Sequence, residues 1–362
     1  MKELRVSLGT RSYPIVIGRD LLDGIGPRVL EALPASRGAR GAAVITDSRV
    51  CGLYLQRVLA SLQKVGLAVT DIQIPEGEQH KNLAWLALIY DRLIEARIER
   101  TSPIVALGGG VIGDLAGFAA ATILRGVPLI QVPTTLLAQV DASIGGKTAI
   151  NHAAGKNLIG AFHQPRLVVT DVSTLSTLPR RELVAGFAEV VKYAVILDPE
   201  LFGVLESKSA VLLKQDADLL ADVVATCCRL KVMVVEEDER EGDYRAILNF
   251  GHTIGHAIEA LTEYREFLHG EAVAIGMACA CRLSRRRGLI SAADERRVVE
   301  LLAAFGLPTR VPGDFKPAQV AIAIEADKKA AGGKIKFVAV EEIGRTRFEP
   351  LSASEIATAI RE

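Results

Sequence analysis

A change of texture near Thr177 constrains the fold of this chain more than any other feature. Before it, short apolar runs alternate with helical patterns. Ala42–Thr46 ends at Asp47, and a helical pattern covers Cys51 to Val65. Ala68–Ile74 reads as a strand and Asn82–Ala96 as a helix. Pro103–Leu107 leads into Gly108-Gly109-Gly110, Leu129–Pro133 precedes Thr134-Thr135, and Leu167–Thr170 is a further apolar run. Such alternation predicts a mostly parallel α/β sheet. After Thr177 helical periodicity dominates, over Arg181–Ile196, Ala217–Glu237, Ile247–Leu261, Glu271–Arg287 and Ala293–Phe305. A small strand pair follows at Lys334–Val340 and Arg345–Phe348. The expectation is α/β plus α: an α/β domain over residues 1–176, then a mainly helical domain over 177–362.

Composition narrows the function. The chain has 362 residues, 49% of them hydrophobic, enough for a large core and two domains. Lys+Arg and Asp+Glu both number 43, so net charge gives no attraction to nucleic acid or to an anionic membrane. The longest apolar region, Pro103 to Leu124, is broken by Asp114 and a run of glycines, so it reads as strand, loop and helix instead of a membrane span. Met1–Leu8 alternates like a strand and lacks the apolar core of a signal peptide; this start argues against an origin in a larger fusion. Five cysteines, none spaced C-x-x-C, fit reduced core thiols of a cytoplasmic protein.

Two stretches are suited to anions. Gly108-Gly109-Gly110-Val111-Ile112-Gly113 fits G-x-G-x-x-G, follows a predicted strand and can open a helix through Asp114. Its backbone can approach a pyrophosphate at the helix N-terminus. No acidic residue near position 130 waits for a ribose, so a merely tight strand-to-helix turn stays open. Asp47 and Pro75–Lys81 also stand at strand ends, which converge on one crevice in an open α/β sheet. Asp141–Thr148 looks like a P-loop fragment, but Val140 and Asp141 replace its leading glycine, which rejects ATP hydrolysis. Lys147, with Lys156 and Asn157 close behind, can still meet phosphate oxygens, the alternative being surface lysines on a loop.

The second half gathers His252, His256 and His269, three of the chain's six histidines, within eighteen residues. Two stand four apart and share a helix face. With a carboxylate from elsewhere, such imidazoles suit a catalytic divalent metal; a core or capping histidine is the competing reading. Glu189 and Lys192 interrupt an apolar helix at i,i+3, where an exposed pair contributes only about 0.2–0.5 kcal/mol. Lys231 falls in register with Val224, Cys227, Cys228 and Val235, so it must meet an anion or line a cleft. Arg245 and Asn249 precede His252. The charged run Glu236–Glu241 reads as a solvated helix end, with Glu241 a weaker candidate.

With these residues in view, the chain resembles the 3-dehydroquinate synthase family of the sugar-phosphate cyclases from end to end. The matching segments are Gly108–Asp114, Gln131–Asp141, Gly145-Gly146-Lys147, Gly155-Lys156-Asn157, Gly186–Lys192, Asn249–Glu259, His269-Gly270-Glu271 and Asp327-Lys328-Lys329. The resemblance implies a Rossmann-like NAD-binding domain and a helical metal-binding domain. It implies Zn²⁺, with Co²⁺ acceptable to the same donors, on Glu189, His252 and His269. His256 then passes to the substrate phosphate. NAD would lie over Asp47, Glu78, Lys81, Gly109, Gly110, Val111, Asp114, Thr134, Thr135, Lys147, Lys156, Thr177, Leu178 and Glu182. Asp141, Lys147, Lys192, Asn249 and His256 would carry the chemistry. Asn157, Lys231, Arg245 and Lys328 (or Lys329) would bind substrate. Arg125 would reach a neighbouring subunit's phosphate, implying a homodimer.

The implied substrate is 3-deoxy-D-arabino-heptulosonate 7-phosphate, and the products are 3-dehydroquinate and phosphate, an early reaction of the shikimate pathway to aromatic amino acids. The implied sequence is oxidation at C5 by NAD⁺, elimination of phosphate, return of hydride, ring opening and an intramolecular aldol closure. NAD⁺ is regenerated each turn, so the enzyme is a lyase. Lys231 and Arg245 would hold the substrate carboxylate, and Lys147, Asn157, Asn249, His256 and Lys328 the phosphate. Three alternatives remain: another sugar-phosphate cyclase, a polyol dehydrogenase that accumulates NADH, and a silent NAD-binding regulator without a metal.

Overall fold

A computed structural model describes residues 1–33, 38–311, 315–327 and 334–361. The chain divides into two compact units, Met1–Leu178 with Leu220–Glu236, and Pro179–Leu219 with Glu237–Glu362. A single boundary at 176/177 does not include the return of Leu220–Glu236, most of the helix Ala217–Glu237, to the first unit. Lys328 and Lys329 lie outside the described residues.

The first unit contains β1 (Lys2–Val6), β2 (Tyr13–Gly18), β3 (Gly41–Asp47), β4 (Ala68–Ile74), β5 (Ile104–Gly108), β6 (Leu129–Pro133), β7 (Lys147–His152), β8 (Gly155–Phe162) and β9 (Leu167–Asp171). Seven of them form one sheet in the order β1-β2-β9-β6-β5-β3-β4. Only the β1–β2 pairing is antiparallel in that sheet. The expected mostly parallel α/β sheet is therefore present. Its inner strands β5, β6 and β9 are buried throughout because both faces are covered. Val44, Val105, Leu107, Ile130 and Val132 point into one core, and Ala43, Ile45, Ile104, Ala106 and Leu129 into the other.

The chain leaves β3 for β4 on one side and returns to β5 on the other, so the direction of winding reverses between β3 and β5. Ligands of open α/β sheets bind where strand C-termini flank such a reversal. Asp47 ends β3, and Gly108 ends β5. The antiparallel hairpin β7–β8 was not anticipated, because Gly145-Gly146-Lys147 reads as a phosphate loop. Gly145 and Gly146 do turn the chain, at φ 89° and 69°, but Lys147 then starts a strand instead of a helix. The P-loop architecture is absent there.

The second unit is mainly helical, with one antiparallel strand pair among the described residues, β10 (Ile335–Glu342) and β11 (Arg345–Leu351). The helix Arg180–Leu197 is buried almost all round from Leu183 to Ile196, as expected of a helix apolar on every face. The expected helix Ile247–Leu261 is split: Tyr244–Asn249 is a short 3₁₀ segment and the α-helix runs His252–Leu261. No helix among the described residues is long and apolar enough to cross a membrane. All five cysteines are free thiols, four of them buried.

Candidate active site

Along the C-terminal edge of the sheet, Gly109 is the N-cap of the helix Gly110–Thr122, and no side chain caps that helix. A Cβ on Gly109 would stand 3.1 Å from Thr135 Cγ2, so the glycine keeps the turn close to Thr135. Thr134 is buried and its N–H donates to Gly108 O at 3.0 Å. Uncapped N–H groups at such a helix start favour an anion. Asp47 caps its own short helix, its Oδ1 accepting the N–H of Arg49 and of Val50 at 2.9 Å each. Burial pushes the Asp47 carboxyl up, opposed by those two bonds.

The loop after β4 joins the same edge. Lys81 is 3% exposed; its Nζ donates to Asp114 Oδ2 at 2.5 Å and to Asn157 Oδ1 at 2.6 Å. Asn151 Nδ2 donates to Glu78 Oε1 at 2.8 Å, and Asn157 N–H donates to Asn151 Oδ1 at 3.0 Å. Asn157 has a left-handed backbone, φ 56°, which asparagine tolerates better than most residues. Burial raises the Asp114 carboxyl, and Lys81 pulls it back. Sequence reasoning missed Asn151, which ties Glu78 to Asn157. Thr177 Oγ1 lies 2.5 Å from the Tyr54 hydroxyl. Lys147 is exposed at the start of β7, and Lys156 is half-buried at the start of β8.

Lys231 meets the anion that its register demanded: Nζ pairs with the Asp141 carboxylate and donates to Asp141 O at 2.6 Å. Both are in the first unit. Arg125 is exposed and follows Leu124 in the left-handed region, at φ 67° and 51°.

In the helical unit, close helix approaches assemble a second group. A Cβ on Gly270 would stand 1.9 Å from Ala185 O, and one on Gly276 would stand 1.9 Å from Gly251 O. Only glycine permits these contacts. The first sets His269 beside the helix that carries Glu189, one turn beyond Ala185. The second sets the start of His252–Leu261 against His269–Arg286. Glu189, His252 and His269 each offer an atom within 4.8 Å of the others. Glu189 Oε1 is 3.5 Å from His252 Nε2 and 3.8 Å from His269 Nε2.

The remaining ring nitrogens define the tautomers. His252 Nδ1 donates to Phe250 O at 3.0 Å, and His269 Nδ1 donates to the Glu259 carboxylate at 3.1 Å. Both Nε2 atoms therefore present lone pairs towards a carboxylate. Burial, then the positive charge of Lys192, holds His252 well below the ordinary histidine range, so it is neutral at pH 7. Two imidazole lone pairs and a carboxylate oxygen fit a divalent ion such as Zn²⁺ or Co²⁺. Lys192, 1% exposed, pairs with Glu189 Oε2 and sets a positive charge beside the buried carboxylate. The i,i+3 pair is thus real, but it lies inside the donor group. His256 stands next to it, 5.5 Å from His252 and 5.9 Å from His269 between ring centres.

Arg245 is 2% exposed and its Nη1 donates to Glu239 O at 2.6 Å. Asn249 Nδ2 donates to Glu241 Oε1 at 3.0 Å. The run Glu236–Glu241 is therefore not simply a solvated helix end. Glu236 Oε1 accepts Ser7 N–H at 2.6 Å in the first unit. In the second, Asp238 accepts the N–H groups of Gly242, Asp243 and Arg245, which lower its carboxyl to about 2. Glu182 lies in the first turn of Arg180–Leu197, and Leu178 is extended just before it.

A parallel sheet with a glycine turn at its reversal point and a helical unit with a two-histidine, one-carboxylate donor group describe a nucleotide- and metal-using enzyme of the cyclase and dehydrogenase architecture. A glycerol dehydrogenase from Schizosaccharomyces pombe, 17% identical over 96% of this chain and 87% of its own, shares the fold at a TM-score of 0.68. The family is narrower. Residues 71–185 match the model of the 3-dehydroquinate synthase N-terminal region and residues 186–330 that of its C-terminal region, and the chain belongs to the 3-dehydroquinate synthase family.

Relatives named 3-dehydroquinate synthase include those of Pelobacter propionicus, 53% identical over 99% of this chain and 98% of the relative, and Desulforamulus reducens, 47% identical over the full length of both. Among solved structures, a 2-epi-5-epi-valiolone synthase from Streptomyces hygroscopicus with NAD⁺ and Zn²⁺ bound is 29% identical, with a TM-score of 0.87 over 96% of this chain and 95% of that one. A 2-deoxy-scyllo-inosose synthase complexed with carbaglucose-6-phosphate, NAD⁺ and Co²⁺ is also 29% identical, with a TM-score of 0.87 over 99% of both chains.

Proposed function

We infer that this chain is a 3-dehydroquinate synthase, converting 3-deoxy-D-arabino-heptulosonate 7-phosphate to 3-dehydroquinate and phosphate. The observation that carries the reading is the Glu189–His252–His269 donor group in a chain about half identical to synthases of that name over nearly its whole length. When bound, NAD supplies reversible hydride acceptance, and a divalent ion on Glu189, His252 and His269 supplies polarisation of substrate hydroxyls.

The chain's own residues do the rest. Asp47, Glu78, Lys81, Gly109, Gly110, Val111, Asp114, Thr134, Thr135, Lys147, Lys156, Thr177, Leu178 and Glu182 hold NAD. Gly109 and Gly110 give the pyrophosphate its backbone donors. Lys231 and Arg245 serve the substrate carboxylate, so Lys231 exchanges its pairing with Asp141 for one with substrate. Lys147, Asn157, Asn249, His256 and Lys328 serve the phosphate by charge-assisted hydrogen bonds, which favour its departure as a dianion. Lys192, paired with Glu189, contacts the substrate beside the metal donors. Arg125, exposed on a sparsely populated backbone, reaches the phosphate of a second copy in a homodimer. The free thiols support a cytoplasmic setting.

The test is substrate selection. The wild-type chain should release phosphate from the heptulosonate phosphate and not from glucose 6-phosphate, which lacks the carboxylate. Arg245→Ala should lose most of that preference. Turnover of glucose 6-phosphate by the wild type would assign the chain to another cyclase activity.

A further inference from the structure

Glu259 has no role in the proposed function, yet it is a carboxylate only 3% exposed. It lies seven residues after His252 on the helix His252–Leu261, which keeps it on the face of His252 and His256. A buried charge needs partners, and His269 Nδ1 is one, 3.1 Å from Oε2. We infer that Glu259 is a positioning residue for the metal, fixing His269 so that Nε2 offers its lone pair beside Glu189; this rests on the metal reading above.

The alternative use of these atoms is visible too. His256, Glu259 and His269 also offer three atoms within 4.8 Å of one another and could form a second donor group. The hydrogen bond argues against it: a Nδ1 that donates its proton to Glu259 has no lone pair left for an ion. His269 Nε2 stands 3.8 Å from Glu189 Oε1, a spacing at which the two atoms can share one ion. A carboxylate behind a ligating imidazole fixes its tautomer and orientation and raises its basicity.

The experiment titrates metal-free full-length protein with Co²⁺, reading the visible spectrum and competition with a chromogenic chelator. The wild-type chain should bind one Co²⁺. Glu259→Ala should bind it about 10- to 100-fold more weakly, with an altered spectrum and unchanged NAD affinity. Glu259→Gln, whose amide oxygen still accepts the Nδ1 proton, should fall between, about 3- to 10-fold weaker because a neutral acceptor is the poorer one. Wild-type affinity and spectrum in both variants would overturn the role. So would loss of a second Co²⁺ equivalent with the first intact, which would make Glu259 a ligand. If Glu259→Ala does not fold, Glu259→Gln decides alone, and unchanged binding overturns the inference. If the wild-type chain takes up no stoichiometric Co²⁺, or Glu189→Ala binds it equally well, the metal reading itself fails.

Discussion

At the sheet edge of the first unit, charged groups are already partnered with one another: Lys81 with Asp114 and Asn157, Lys231 with Asp141. In the helical unit, by contrast, two imidazoles aim lone pairs at a carboxylate, an arrangement that a cation completes. The first arrangement stores charge in pairs that a ligand must exchange. The second repels itself until an ion arrives, with Lys192 offsetting part of the cost at Glu189. The first edge should therefore be stable when empty and select ligands by substituting partners. The second should depend on metal for its stability as well as its chemistry.

The largest expected effect is at Glu189. Glu189→Ala should weaken metal binding by more than about 100-fold, the upper end for outer-sphere partners of ligands. It also strands Lys192, and breaking a fully buried pair costs about 3–5 kcal/mol, readable by urea unfolding. Adding Lys192→Met should restore stability without restoring metal. If the double variant is as unstable as the single one, the pair is not what holds Glu189 in place.

Next comes Lys147→Ala. Turnover should fall about 10- to 100-fold, matching the 1.5–3 kcal/mol of hydrogen bonds to charged groups, while Zn²⁺ content stays at the wild-type level. Near-normal turnover would remove Lys147 from the phosphate.

Lys81→Met should lower stability by about 2–3 kcal/mol, less than a fully buried pair because Asp114 keeps 21% of its side-chain surface exposed. NAD affinity should fall while Co²⁺ binding is unchanged. A parallel loss of Co²⁺ binding would contradict the independence of the two groups.

The smallest effect concerns pH. Asp238 sits at about 2 in the folded chain against 3.8 ordinarily, held down by backbone N–H donors. Its contribution to stability is complete above 3.8 and is lost as pH falls through about 2. Asp238→Asn should flatten the acid limb of the stability profile in that window and leave neutral-pH activity nearly unchanged. An unaltered acid limb would show that these hydrogen bonds do not stabilise the fold.

The sheet was legible because periodicity is a local signal: Ala68–Ile74 and Leu129–Pro133 are strands with the bounds read from the residues. The hairpin β7–β8 was not, since the glycines that lead into it imitate a phosphate loop and only Thr148 and Ile150 are buried along β7. The return of Leu220–Glu236 to the first unit leaves no mark on helical periodicity. Spacing alone paired His252 with His256; the structure places Glu189 and His269 with His252 because of the Ala185–Gly270 contact, a long-range event. Gly270, directly after His269, was the available signal, as glycine inside an apolar helical pattern points to close approach. Asn151 and Glu259 were missed because their roles are to orient other side chains, which sequence spacing does not express.

The most direct measurement mixes the protein with Zn²⁺, a catalytic amount of NAD⁺ and 3-deoxy-D-arabino-heptulosonate 7-phosphate, and follows phosphate and NADH together. Phosphate should exceed the NAD⁺ supplied many-fold, with no accumulating NADH. NADH rising in step with substrate consumed, or no phosphate from folded, metal-loaded protein, would contradict a redox-neutral cyclase.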